Sequence, residues 1–218
     1  LNNLTVNVNV PFVYVYDKTG TAAAKDATDL GDVTVGLDFQ PFKASDWPAT
    51  TLTLSAILPT GRSPFKIDRD TDLSTGSGYY GVSMGINMSK SLDPAMAFGA
   101  LSATYRFKPH GVEQKIGNQI LDQIEPGMSF SAAVGMAYAI SYAVSMNVQF
   151  QYGYGMSSKY YFLNQATPSE AAAYSTASLI VGTGWRITPK TTLALSLGIG
   201  LTSNDPDFLF MLRLPFMF

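Results

Sequence analysis

Cysteine is absent from the 218-residue chain, and histidine occurs once, as His110. Without thiols the chain can form no disulfide and offers no thiolate as a nucleophile or metal ligand. His110 stands between Pro109 and Gly111 in a predicted loop, and it has no second imidazole with which to build a metal site or a catalytic triad. We therefore expect a protein that is not an enzyme and that uses no cofactor and no metal.

Charge is also scarce. Asp, Glu, Lys and Arg make up 14% of the residues, against about 25% in a typical soluble domain. The net charge is -2 and there is no basic block, so the chain lacks the electrostatic footprint of a nucleic-acid-binding protein. No apolar run approaches the roughly 18 residues of a membrane-spanning helix. These absences exclude a nucleic-acid-binding protein and a membrane protein built of spanning helices. The scarcity of charge also indicates that something other than water covers part of the surface.

What the chain does have is strict alternation between apolar and polar or small residues, with the period of two that a β-strand requires. Ten segments show it: 4–16, 32–42, 51–58, 79–91, 95–107, 128–140, 143–156, 174–187, 191–202 and 207–218. Their polar faces carry Gly, Ser, Ala, Thr, Asn and Gln, where a sheet facing water would carry more Lys and Glu. The pattern predicts one domain over residues 1–218, an all-β, antiparallel, up-and-down transmembrane β-barrel of about ten strands.

A soluble β-sandwich or a lipid-binding barrel would also alternate, and both remain alternatives. The spacing of the segments favours the membrane, because short connections follow the fourth, sixth and eighth segments and long ones follow the first, third, fifth and seventh. Short periplasmic turns and long extracellular loops are typical of bacterial outer-membrane barrels. We therefore predict the bacterial outer membrane as the location, with both ends of the chain on the periplasmic side.

Four stretches, 58–65, 75–107, 124–141 and 205–218, resemble the outer-membrane family labelled "MetA-pathway of phenol degradation", which is similar to the barrel of FapF, the functional-amyloid secretion pore of pseudomonads. The likeness covers nearly the whole chain and consists of strand and turn patterns without catalytic content. It implies about twelve strands, so ten segments indicate either a smaller barrel or a missing N-terminal hairpin. The final segment resembles the closing strand of such proteins, in which Phe216 and Phe218 would form the signal for the barrel-assembly machinery.

The charged residues inside the segments are predicted to lie on the polar face and to point into the lumen. They are Asp38, Lys90, Arg106, Arg186 and Arg213, and the seventh segment adds the carboxamides Asn147, Gln149 and Gln151. A charge facing lipid at mid-depth would cost about 2 to 4 kcal/mol for Arg or Lys, whereas one in a wet lumen can tune selectivity. Two interpretations stay open: these charges influence conduction, or they pair across the lumen and brace the barrel.

The connection after the fifth segment carries apolar residues at helical spacing, at Val112, Ile116, Ile120 and Ile124. We predict a short extracellular helix here, with a gate that folds over the mouth as the alternative. Asp205 and Asp207 flank Pro206, a pattern more typical of a turn than of a cation site.

Together these features predict a passive outer-membrane translocation channel for solutes or secreted polypeptide. The alternatives are a secretion pore that exports functional-amyloid subunits and a closed structural barrel or adhesin. The expected partners are the lipid bilayer, lipopolysaccharide, the barrel-assembly machinery and the transported solute or polypeptide. A homo-oligomer stays open, and no nucleic acid is expected.

Overall fold

The computed structural model describes residues 3–18, 24–42, 47–67, 72–112, 114–116, 119–163, 165, 167–188 and 191–214, and these residues form sixteen strands. In chain order they are β1 (Leu4–Asn9), β2 (Phe12–Asp17), β3 (Lys25–Leu30), β4 (Val33–Phe42), β5 (Ala49–Leu58), β6 (Gly81–Leu92), β7 (Ala95–Arg106), β8 (Gln114–Ile116), β9 (Gln119–Glu125), β10 (Ser129–Ala139), β11 (Val144–Gly155), β12 (Ser158–Phe162), β13 (Ser169–Ala171), β14 (Tyr174–Thr188), β15 (Thr191–Gly200) and β16 (Phe208–Arg213).

Ten strands form one antiparallel sheet in the order β1-β4-β5-β6-β7-β10-β11-β14-β15-β16. Each of the ten predicted segments contributes one of them, which confirms the all-β, antiparallel prediction. Within the described residues no pairing joins β1 to β16. Short connections join β6 to β7, β10 to β11 and β14 to β15, and we call this side of the sheet the turn end. The long connections leave from the opposite side, the loop end.

The apolar side chains of the sheet are exposed. Val6, Met84, Leu101 and Val134 are each about 60% accessible. The whole chain exposes 14634 Å², whereas a compact soluble protein of this length would expose about 9,800 Å². This large accessible surface reflects a sheet whose apolar side is not packed against a core of its own. Among the described residues, no helix is long and apolar enough to cross a membrane.

The first predicted segment, 4–16, is divided at Val10 and Pro11. Proline has no N–H to donate to a strand ladder, and here its carbonyl accepts a hydrogen bond from the amide of Gly31 at 2.8 Å. β1 pairs with β4 before this break, and β2 pairs with β3 after it. The stretch 17–30, predicted as a loop, thus contains a strand and forms a ribbon beyond the loop end.

A second ribbon replaces the predicted helix at 112–124. β8 and β9 lie there and join β12 and β13 in a four-stranded sheet, in the order β13-β12-β9-β8. Leu121 pairs with Phe162 and Gln123 with Tyr161, so Asp122 is an extra residue in β9. Such a β-bulge places residues three apart on one face and imitates helical spacing. The helix prediction was wrong, because the described residues of this stretch form strands; the bulge accounts only for the spacing of Leu121 and Ile124. The predicted loop after the seventh segment also contains strands.

Candidate functional site

The register of the sheet sorts its side chains into two faces. One row of paired residues contains Leu54, Met84, Ala103 and Phe130, and the neighbouring row contains Thr53, Gly85, Ser102 and Ser131. Because successive residues of a strand point to opposite sides, these rows define an apolar face and a polar face. The polar face is the candidate functional surface.

Asp38 and Arg106 lie on the polar face, as predicted. Asp38 pairs with Thr53 in the register, and its carboxylate accepts a hydrogen bond from the Nδ2 atom of Asn7 at 2.7 Å. Arg106 ends β7 at the loop end, where it is partly buried and donates through Nη1 to the hydroxyl of Ser129 at 3.2 Å.

Arg186 and Arg213 also lie on the polar face, near the turn end. Arg186 pairs with Thr192 and Arg213 with Ala194, so both arginines sit beside the first residues of β15. Both are exposed. Within the described part of the chain, Arg186, Arg213, Arg106 and Asp38 take part in none of the ion pairs at Arg62, Lys108 and Lys159. The predicted bracing by pairs across the lumen is therefore not seen among these residues.

Lys90 requires a correction. It pairs with Ala97, and it shares the face of Met84 and Met88. Its even position on β6 follows the same alternation as those methionines, so the prediction of a polar-face lysine was wrong. Lys90 lies two residues before the end of β6, where a long side chain can lie along an apolar surface with its ammonium group in water.

Three carboxamides follow one another along the polar face of β11, as predicted. Asn147, Gln149 and Gln151 alternate with the apolar-face residues of this strand. Gly182 lies opposite Asn147, and a Cβ atom at this glycine would collide with the Asn147 side chain. None of the three carboxamides makes a side-chain hydrogen bond to another described residue, so their donors and acceptors are available to water or to a solute.

At the loop end, residues from separate connections pack into a buried cluster of Phe65, Val112, Leu121 and Ile124, which we call the loop cluster. Two residues of the predicted gate segment, Val112 and Ile124, belong to it, whereas Ile120 is 40% exposed. Ile116 lies in β8, and its side chain is outside the described part. The segment is thus anchored to the 59–80 connection rather than free-standing.

Tyr79 packs against the loop cluster, with its ring centroid 5.2 Å from that of Phe65. Burial and, to a lesser extent, Tyr160 raise the pKa of Tyr79 to about 12, against the opposing effect of Arg106. A second contact joins the start of the connection after β7 to the end of β9: the Nζ atom of Lys108 donates a hydrogen bond to the Oε1 atom of Glu125 at 2.6 Å. This hydrogen bond raises the pKa of Lys108 and lowers that of Glu125.

Asp205 stabilises a turn, as its sequence context predicts. Its Oδ2 atom accepts hydrogen bonds from the Thr202 hydroxyl at 2.6 Å and from the Ala177 amide at 2.7 Å. These hydrogen bonds lower the pKa of the Asp205 carboxyl, and the bond from Thr202 has the largest effect. His110 is exposed, and the described residues contain no group of three or more potential metal ligands. The predicted assembly signal, Phe216 and Phe218, lies outside the described residues.

The sequence profile of the family "MetA-pathway of phenol degradation" matches residues 2–218, almost the entire chain. The chain belongs to this family. The resemblance inferred from the strand and turn patterns is thereby confirmed for the MetA-pathway family, whereas the likeness to the secretion pore FapF stays a prediction.

The fold of this family member is similar to that of an outer membrane channel from Pseudomonas putida F1, known from a crystal structure. The two share 20% sequence identity with a TM-score of 0.68, over 98% of this chain and 76% of the channel. At this identity the likeness concerns the fold, and it confirms the prediction of an outer-membrane barrel fold.

Sequence reasoning missed the polar contacts that organise the loop end. Asp32 accepts hydrogen bonds from the amides of Gly61 at 3.2 Å and Ser77 at 2.7 Å, and from the Ser77 hydroxyl. This single carboxylate ties the 59–80 connection to the start of β4. An Asp immediately before a strand, with Gly and Ser in a later loop, is the only signal in the sequence, and it does not identify the partners.

Proposed function

We propose that this protein is a passive, anion-preferring channel of the bacterial outer membrane, without enzymatic activity. Membership of the MetA-pathway family and the fold shared with an outer membrane channel support this location and class of function. In this arrangement the apolar face contacts the bilayer and lipopolysaccharide, and the polar face lines a water-filled lumen. The remaining partners are the barrel-assembly machinery and a small transported solute.

The observation that carries the anion preference is the charge on the polar face. Three arginines, Arg106, Arg186 and Arg213, lie there with a single strand carboxylate, Asp38, and no ion pair neutralises them within the described residues. Low-dielectric walls focus such a field and raise the local concentration of counter-ions. On this face the three arginines outnumber the strand carboxylate Asp38, with Asp205 adding a second carboxylate at the loop end, although the chain as a whole carries -2.

The reversal potential across a potassium chloride gradient in planar bilayers tests this proposal. We expect chloride to be preferred over potassium, and we expect the double variant Arg186→Gln/Arg213→Gln to reduce or reverse the preference because it removes two of the three positive charges. Lys90→Gln is the matched control, since it removes one positive charge from the apolar face. It should leave the selectivity unchanged.

Two results would contradict the proposal in different ways. Cation preference in the parent protein, or unchanged selectivity in the double variant, would remove these arginines as the determinants. The absence of any conductance would instead favour a closed structural barrel or adhesin.

A further inference from the structure

Hydroxyl groups line a concave part of the polar face close to Arg106. Two adjoining cavities of about 180 and 260 Å³ share Ser131, Gly153 and Thr176. We call them together the hydroxyl niche. Its polar side chains are Ser102, Thr104, Ser129, Ser131, Tyr174 and Thr176 in the first cavity, with Gln151, Ser178 and Asp205 in the second.

The niche has hydrogen-bonding capacity to spare. The hydroxyl oxygens of Ser102 and Ser131 are 2.7 Å apart, so one of the two donates to the other. A hydroxyl can donate one hydrogen bond and accept two, which leaves most of the acceptor positions open. The carboxamide of Gln151 has no partner among the described residues. The niche therefore presents mixed donors and acceptors, as a ligand rich in hydroxyl groups requires.

Gly153 keeps the centre of the niche open. A Cβ atom at this position would lie 2.5 Å from the Oγ1 atom of Thr176, which is too close for an ordinary contact. Any larger residue would thus fill the space that the two cavities share. This gives a way to close the niche without changing its charge.

The ends of the niche differ in charge. At one end Ser129 accepts a hydrogen bond from the guanidinium of Arg106, whose remaining N–H groups form a planar fork that matches a carboxylate. At the other end the Asp205 carboxylate is held by Thr202 and Ala177, and it keeps further lone pairs for a hydroxyl donor. A ligand with a carboxylate at one end and hydroxyls along its length fits this order of groups.

We propose that the hydroxyl niche binds a small polyhydroxylated carboxylate of the sugar-acid class. The carboxylate contacts Arg106, and the ligand hydroxyls contact Ser131, Thr176 and Gln151. The inference rests on the proposed function in that the polar face must line a lumen open to solutes. A neutral sugar would leave Arg106 without a carboxylate, and a simple short-chain acid would leave the hydroxyls of the niche to water.

Isothermal titration of sodium gluconate into the detergent-solubilised protein tests the proposal, with D-glucose and sodium acetate as comparison ligands. We expect gluconate to bind more tightly than either, because only gluconate carries both kinds of group. Arg106→Gln should weaken gluconate binding roughly tenfold or more, the range for a lost charge-assisted hydrogen bond. Lys90→Gln, which removes an equal charge from the apolar face, should bind gluconate like the parent protein.

Gly153→Val offers a second test that leaves the charges in place. It should weaken gluconate binding while chloride selectivity persists, and circular dichroism identifies any variant that fails to fold. Equal affinity for gluconate and acetate, or parent-like binding by both Arg106→Gln and Gly153→Val, would overturn the niche and leave the channel intact. Arg106-dependent gluconate binding by a protein that conducts no ions would instead support the niche and contradict the channel.

Discussion

Lys90 and Arg106 show how a residue's place in the alternation decides the surroundings of a charge. Both are basic and both lie near the end of a strand, but Lys90 shares the face of Met88 and Arg106 that of Ser102. The first therefore meets the apolar surroundings of the sheet and the second its polar surroundings. Only the second can influence ions in a lumen, which is why the selectivity proposal rests on the arginines.

The neighbouring residues Leu195 and Ser196 provide a direct test of the two faces. Leu195 pairs with Leu212 and Ser196 with Met211, on opposite faces of β15. We expect Leu195→Arg to block folding into lipid vesicles, because an arginine facing lipid at mid-depth costs about 2 to 4 kcal/mol. Ser196→Arg should fold like the parent. The folded fraction is read from the heat-dependent shift in gel mobility, and equal folding of both variants would refute the face assignment.

Tyr79 gives the loop end a dependence on alkaline pH. Burial raises its pKa from the usual value of about 10 to about 12, so the folded state resists formation of the phenolate. The contribution of this buried, neutral side chain to the free energy of unfolding is fully present below pH 10, and it is lost as the pH rises from 10 towards 12. We expect proteinase K, which stays active at this pH and needs no charged lysine, to cleave the 107–128 connection faster over this range, and we expect Tyr79→Phe to remove the increase. The same rise in Tyr79→Phe would show that another group is responsible.

At the scale of the elements, the bulge at Asp122 connects the sequence pattern to the fold of the loop end. Leu121 and Ile124 are three residues apart, yet both are fully buried in the loop cluster because of the extra residue between them. Without the bulge the alternation of β9 would turn one of the two outward. The loop cluster therefore depends on an irregularity in pairing with β12, which is distant in sequence.

Ile124 and Ile120 form a matched pair for testing the loop cluster, since their exposed fractions are 0% and 40%. Ile124→Ala should destabilise the cluster by about 2 to 5 kcal/mol, the usual cost of such a truncation in a core. Ile120→Ala should have little effect. Limited trypsin digestion at Lys108 and Lys115 reports the local opening, while the gel shift reports the sheet. Equal cleavage of the two variants would show that the cluster does not hold this connection.

At the scale of the whole molecule, the chain has a large exposed apolar face and only a small buried core. The buried apolar residues of the described part are Ala27 and the four members of the loop cluster. A sheet of this kind is stabilised in a membrane by pairing of its backbone groups in hydrogen-bonded ladders and by lipid on its apolar face, rather than by an interior. The proposed assembly at the bilayer is what gives Phe216 and Phe218 the role predicted for them from the sequence.

Deletion of Phe216 to Phe218 tests that role. If these residues are the signal for the barrel-assembly machinery, the deletion should lower outer-membrane levels in cells far more than it lowers refolding into detergent. Quantitative immunoblots of membrane fractions and the gel shift of refolded protein give the two measurements. Replacing the last three residues with another sequence that also ends in phenylalanine should restore cellular levels. Normal levels of the truncated protein would contradict the assignment.

The sequence by itself determined the ten strands, the faces of nearly all their residues and the arginine-rich polar face. Period-two alternation is a local property, so it is readable wherever a strand has one apolar side. The tertiary structure decided what depends on contacts between distant segments: the ribbon in place of a helix, the contact of Phe65 with residues near Leu121, and the cavities beside Ser131. No local period encodes such contacts, because they depend on which loops meet at the same end of the sheet.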